Sequence, residues 1–200
     1  MKRIGVYGGA FDPPHIGHVL VGAYALAMAR LDELIVVPCW RHAFGKDMTD
    51  YWQRLELTRR AFGILGEKVL VSSVEWAIKC QHTYDLLAYY RSSHHHPASH
   101  QLVLIMGSDD FQDFPKWHRH EEILQMAEVF MVGRQGTVQL PGSVDIPNVS
   151  SSLIRQRIQE GQNIQSLLPP AVLGIIREKH LYGFGDCSQQ KVGLETDPAV

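Results

Sequence analysis

The chain reads as an α/β fold, a doubly wound parallel sheet with a small helical part at its C-terminal end. Two observations carry that expectation. Short, wholly apolar runs alternate with longer stretches whose apolar residues recur at helical spacing. The first apolar run also passes into a Gly/Pro turn that opens directly onto a helix. Strands apolar along their whole length are buried on both faces, which calls for helices above and below a parallel sheet. Such sheets bind ligands at the carboxyl ends of their strands.

In order, residues 3–7 form a buried strand, and residues 17–30 a helix with Val21, Ala25, Met28 and Ala29 on its apolar side. Residues 34–37 make a second strand, closed by Pro38. Residues 51–65 make a helix with Leu55, Thr58 and Phe62 on one face, while Arg54, Arg59 and Arg60 are expected on a solvated face. A third strand spans 69–74, a helix 83–90, a fourth strand 102–106, a helix 121–126 and a fifth strand 129–132. Helices over 151–159 and 170–180 follow without a strand between them. One domain over 1–182 and a flexible tail over 183–200 are expected, because the tail has no apolar period. His94, His95, His96 and His100 fall in a polar stretch read as a loop.

The chain has 200 residues, with 19 Lys plus Arg against 21 Asp plus Glu, a formal charge of −2. That balance offers no basic field for a nucleic acid polymer, whose many phosphates must be neutralised. Three cysteines outside any CxxC pair read as reduced thiols rather than a disulfide frame or a zinc site. No signal-peptide pattern and no apolar run of about 18 residues stand in the sequence, so a cytoplasmic chain without a membrane span is expected. The oligomeric state is left open, a homo-oligomer included.

The chemistry concentrates at Gly8-Gly9-Ala10-Phe11-Asp12-Pro13-Pro14-His15-Ile16-Gly17-His18. Glycines at a strand end let the backbone approach a ligand that a Cβ would block. His15 and His18, three apart at a helix start, share a face. Helix N-termini favour anions, and two imidazole donors beside one make a phosphate site. A zinc site would need a further ligand close by, and none stands there.

This stretch resembles the GxFDPxHxGH signature of the nucleotidyltransferase superfamily at every fixed position. Val149-Ser150-Ser151-Ser152-Leu153-Ile154-Arg155 is similar to the superfamily's second signature, I-S-S-T-x-I-R, with Val149 in place of Ile and Ser152 in place of Thr. The resemblance implies a Rossmann-like nucleotidyltransferase fold. It also implies ATP held by Gly8, Gly9, Phe11, His15, Gly17, His18, Gly107, Asp109, Ser151, Ser152 and Arg155, with His18, His15 and Arg155 carrying catalysis. Arginine suits phosphate because its planar fork stays charged and donates two parallel bonds.

Three further features look like the nicotinate/nicotinamide mononucleotide adenylyltransferases: Met106-Gly107-Ser108-Asp109 after the fourth strand, Trp117 beyond it, and Thr83-Tyr84-Asp85 opening a helix. In that family a pyridine ring stacks on the tryptophan, and the threonine segment reads its substituent. The resemblance thus implies an acceptor site of Lys46, Thr83, Tyr84, Trp117 and Arg134. Where many members have P-P-H-K, this chain has Pro38-Cys39-Trp40-Arg41-His42, so His42 and Lys46 both stand for the phosphate-binding lysine.

The implied reaction is adenylyl transfer from ATP to nicotinate mononucleotide, and also to nicotinamide mononucleotide, with Mg²⁺ carried mainly by the ATP phosphates and water. Adenylyl or cytidylyl transfer to another acceptor such as phosphopantetheine is the alternative within the superfamily. A non-catalytic nucleotide sensor is the alternative outside it.

Overall fold

The computed structural model describes residues 1–41, 45–92, 100–133 and 146–185. His42, His94, His95, His96, Arg134 and the segment from residue 186 onwards lie outside these described residues, as does the side chain of Asp109. The elements run β1 (Lys2–Gly9), α1 (Ile16–Met28), β2 (Glu33–Pro38), α2 (Tyr51–Phe62), β3 (Val69–Val71), α3 (Val74–Ile78) and α4 (Thr83–Ser92). Then come β4 (His100–Gly107), α5 (Ser108–Asp113), α6 (His120–Met126), β5 (Ala127–Val132), α7 (Ser151–Gln159) and α8 (Pro170–Glu178).

The strands form one five-stranded parallel sheet in the order β3-β2-β1-β4-β5. β1 lies at its centre, with Gly5 opposite both Leu34 of β2 and Val103 of β4. Alternation of side chains across the pleat splits the core in two. Leu34, Val36, Val103 and Ile105 face one way, against Val21 and Ala25 of α1, Leu57 and Phe62 of α2, Ile154 of α7 and Val172 of α8. Ile4, Val6, Ile35, Val37, Leu104 and Met106 face the other way, against Leu86 and Leu87 of α4 and Ile123 of α6. Each fully buried Ile, Leu or Val contributes about 1.5–3 kcal/mol, so both apolar layers hold the sheet between its helices.

The doubly wound α/β architecture is therefore the one read from the sequence. Three local readings are corrected. Strand β3 stops at Val71, and Val74 opens helix α3, because Ser72 Oγ accepts the Val74 N–H and turns the chain. His100 is not in a loop: it is the first residue of β4, paired with Lys2.

Arg54 is not solvated, being only 1% exposed. Its guanidinium donates to the carbonyls of Thr49, Ala10 and Cys39 at 2.8, 2.9 and 2.9 Å. A charge survives burial when its donors are met in this way. Beyond α8, Leu181–Gly183 make a 3-10 turn and Phe184 packs against the first core layer.

Chain order reverses between β1 and β4: β1 is followed by β2 on one side, and β4 returns on the other. The crevice this leaves at the carboxyl ends of the two strands is where such sheets take ligands.

Candidate active site

The glycine turn closes β1 and starts α1. A Cβ on Gly9 would meet the Phe11 ring at 3.0 Å, whereas one on Gly8 would meet nothing within 4 Å. The first glycine thus keeps open space at the strand tip, and the second makes room for the ring. Phe11 is buried in a left-handed conformation (φ 47) and lies edge-on to His18 with ring centroids 4.9 Å apart. Tyr7 and Phe62 pack around it. Phe11 therefore supports His18 from below.

His15 caps α1 and is 1% exposed. Its ring stacks on that of His18, with centroids 3.7 Å apart and planes 27° from parallel. A Cβ on Gly17 would press on the His15 ring at 3.1 Å, so the stack needs glycine there. The His15 backbone N–H donates to His18 Nδ1 at 3.2 Å. An accepting Nδ1 assigns the proton of the neutral imidazole to Nε2, which makes that nitrogen a hydrogen-bond donor.

Helix α7 docks onto this turn. Ser150 Oγ caps the helix by accepting the Leu153 N–H at 3.1 Å, a serine N-cap satisfying an orphan amide. Ser151 Oγ donates to the Pro13 carbonyl at 2.9 Å. Arg155 Nη1 donates to the Asp12 carbonyl at 2.5 Å and lies 3.8 Å from the Asp12 carboxylate. Arg155 Nη2 donates to Ser152 Oγ at 3.3 Å. The two motifs, at opposite ends of the sequence, thus share one wall.

That wall belongs to a cleft of about 690 Å³, within the usual range for a small-molecule site. Gly8, Gly9, His15, Gly17, His18, Ser151, Ser152 and Arg155 line one end. Gly107, the N-cap of α5, lies on the floor beside Met106. Thr83, Trp117 and Lys46 also line the cleft, Trp117 half-buried and edge-on to Phe114 at 5.5 Å.

Tyr84 sits otherwise: Arg119 stacks on its ring at 3.7 Å, and the ring packs against the second core layer. The backbone places Asp109 in the first turn of α5. Of the residues expected from the sequence, Phe11 and Tyr84 pack behind the cleft and are not among its lining residues.

Other residues of the cleft carried no distinctive signal. Arg41, His82, Asp110, Asp113 and His118 line it too, with the His82 and His118 rings 4.7 Å apart. Glu75 is 6% exposed, accepts the Trp40 N–H at 2.9 Å and has its carboxyl pushed up to about 7, chiefly by burial. Asp12 was legible as part of a motif but not as a hub. Among the described residues, no group of three or more His, Cys, Asp or Glu is gathered as a metal site, and no helix is long and apolar enough to cross a membrane.

A parallel-sheet crevice whose glycine turn, histidine pair and arginine converge defines a nucleotidyltransferase, and residues 6–157 match the cytidylyltransferase-like family. The chain is 36% identical over 187 residues to a protein of Anaeromyxobacter sp. (strain K) named "Probable nicotinate-nucleotide adenylyltransferase", covering 90% of this chain and 97% of that one. It is 31% identical over 191 residues to the nicotinate-nucleotide adenylyltransferase of Bacillus subtilis (strain 168), covering 91% and 99%. The chain belongs to this adenylyltransferase family within the cytidylyltransferase-like class. The fold agrees with that of Plasmodium falciparum nicotinic acid mononucleotide adenylyltransferase complexed with NaAD, at a TM-score of 0.76 and 22% identity over 92% of this chain and 98% of that one.

Proposed function

We propose that this chain transfers the adenylyl group of ATP to nicotinate mononucleotide, releasing pyrophosphate and forming the dinucleotide. The observation that carries the reading is the convergence of the His15–His18 stack and Arg155 in a cleft that Trp117 and Thr83 also line. ATP enters as its Mg²⁺ complex, with the ion on phosphate oxygens and water, since Mg²⁺ keeps much of its hydration. Nicotinamide mononucleotide is the second acceptor to test. The reaction belongs in the cytoplasm.

An oxygen of the acceptor phosphate attacks the α-phosphorus. The bond to the bridging oxygen of the β-phosphate breaks, and pyrophosphate leaves with that electron pair. The second pKa of a phosphate ester is about 6, so the nucleophile is already largely ionised at pH 7 and needs no general base. Catalysis is then alignment and neutralisation of charge. His18 offers Nε2–H to the α-phosphate, while His15, Ser151, Ser152 and Arg155 hold the rest of the triphosphate. Gly8, Gly9, Gly17, Gly107 and Asp109 shape the nucleotide's bed.

Trp117 stacks on the pyridinium, a contact worth about 0.5–2 kcal/mol. The segment of Thr83 and Tyr84 reads the ring substituent, and Lys46 and Arg134 meet the acceptor phosphate.

The test is pyrophosphate release from ATP and Mg²⁺ with nicotinate mononucleotide, nicotinamide mononucleotide or phosphopantetheine as acceptor. Release with nicotinate mononucleotide is expected, and release with phosphopantetheine alone would overturn the acceptor assignment. His18→Ala should lower turnover on the order of 10²–10³-fold, as when one preorganised donor is removed, while ATP affinity changes far less. Near-normal turnover in that variant would remove His18 from the chemistry.

A further inference from the structure

The 3-10 turn after α8 belongs to neither sequence signature, yet it reaches the phosphate end of the cleft. Tyr182 stands there in a left-handed conformation (φ 60, ψ 19), between His180 at φ 49 and Gly183 at φ 81. A side chain rarely adopts this geometry, and surrounding contacts must hold it there. The ring packs on the first core layer, and the hydroxyl donates to Asp12 Oδ1 at 3.1 Å. Burial and the Asp12 charge both push the phenol pKa up, so the hydroxyl keeps its proton and stays a donor.

Asp12 is 5% exposed, and each of its carboxylate oxygens accepts a hydrogen bond. Oδ1 takes the Tyr182 hydroxyl, and Oδ2 takes the Thr49 N–H at 3.2 Å. Oδ2 also faces Arg155 Nη1 at 3.8 Å, while the Asp12 carbonyl accepts from the same nitrogen. Arg155 is thereby gripped through Nη1, and its Nη2 is left toward Ser152 at the cleft rim.

We propose that Tyr182 is a positioning residue for the triphosphate: its hydroxyl fixes the Asp12 carboxylate, and Asp12 fixes the Arg155 fork. Without the hydroxyl, Oδ1 loses its donor in a buried place and the carboxylate turns to Arg155 for it. A tighter Asp12–Arg155 pair draws the guanidinium back from the anion it should meet. The proposal rests on the reading that Arg155 binds the ATP phosphates.

The experiment measures the affinity of the acceptor-free protein for ATP and Mg²⁺ by titration calorimetry in wild type, Tyr182→Phe, Arg155→Lys and the double variant. Tyr182→Phe keeps the ring and should weaken ATP about 3–10-fold, the scale of one ordinary net hydrogen bond, since the hydroxyl acts on ATP only through Asp12 and Arg155. In the Arg155→Lys background the same change should have little further effect, since residues acting through one another are not additive. The affinity for nicotinate mononucleotide should be unchanged. Phe184→Ala, which loosens the same turn without touching Asp12, should lower Tm and leave ATP affinity intact.

Three results would each overturn the proposal: wild-type ATP affinity in Tyr182→Phe, an equal loss in both backgrounds, or an equal loss in Phe184→Ala. Wild-type protein that binds ATP but releases no pyrophosphate would remove the adenylyl-transfer reading and leave the calorimetric comparison to decide this one. Protein that does not bind ATP would take both down.

Discussion

Glu75 is a carboxyl carried into an apolar corner, with Arg54 as its nearby opposite charge and the Trp40 amide as its donor. Burial outweighs both, so its value rises from 4.5 to about 7. The folded chain therefore holds a proton that the unfolded chain has released. Stability is full below the unfolded value and falls as pH climbs to about 7, by on the order of 3 kcal/mol for a shift this size. Glu75→Gln keeps an oxygen for Trp40 and has nothing to ionise. Urea unfolding should find variant and wild type close at pH 4, with the variant ahead by roughly that amount at pH 8. Parallel pH profiles would contradict the assignment. Arg54 and Glu75 also mark where reading residues one at a time stops. On a helix an arginine scores as solvated, and only the meeting of three carbonyls from residues 10, 39 and 49 keeps this one inside.

The elements themselves were largely legible, because a strand buried on both faces must be apolar throughout and leaves an unbroken run. Helix α7 begins at Ser151 and ends at Gln159, the bounds its serine cap and apolar spacing suggest. Short helices were not legible: α3 and α5 are five and six residues long, too short for a periodic signal. Within β1 two glycines do different work. A Cβ on Gly5 would come within 2.5 Å of Leu31 Cδ1 and 2.9 Å of Leu34 Cδ1, in packed core. Gly5→Ala should therefore cost about 1–3 kcal/mol in thermal or urea unfolding. Gly8 has open space, so Gly8→Val should shift stability by no more than about 0.5 kcal/mol yet lower kcat/KM roughly 10–100-fold by intruding where the nucleotide lies. A Gly8→Val enzyme with full activity would show that the strand tip is not part of the nucleotide's bed.

At the scale of the whole molecule, the site is a joint between early and late segments meeting over the β1–β4 crevice. The motifs were readable because each sits at the functional end of its element. Their meeting depended on strand order, which no local pattern carries. ATP should therefore bind both halves at once. At 100 times its Kd it should stabilise the fold by about 2.7 kcal/mol, and amide hydrogen exchange should slow in α7 as well as at the start of α1. Protection confined to α1 would break the joint site. Ser151 reaches Pro13 across 138 positions of sequence, and Tyr182 reaches Asp12 across 170. A ribosome makes the glycine turn first and these clamps last. The nascent chain therefore exposes the glycine turn well before α7, and until Ser151, Ser152 and Arg155 have emerged it carries only one half of that shared wall.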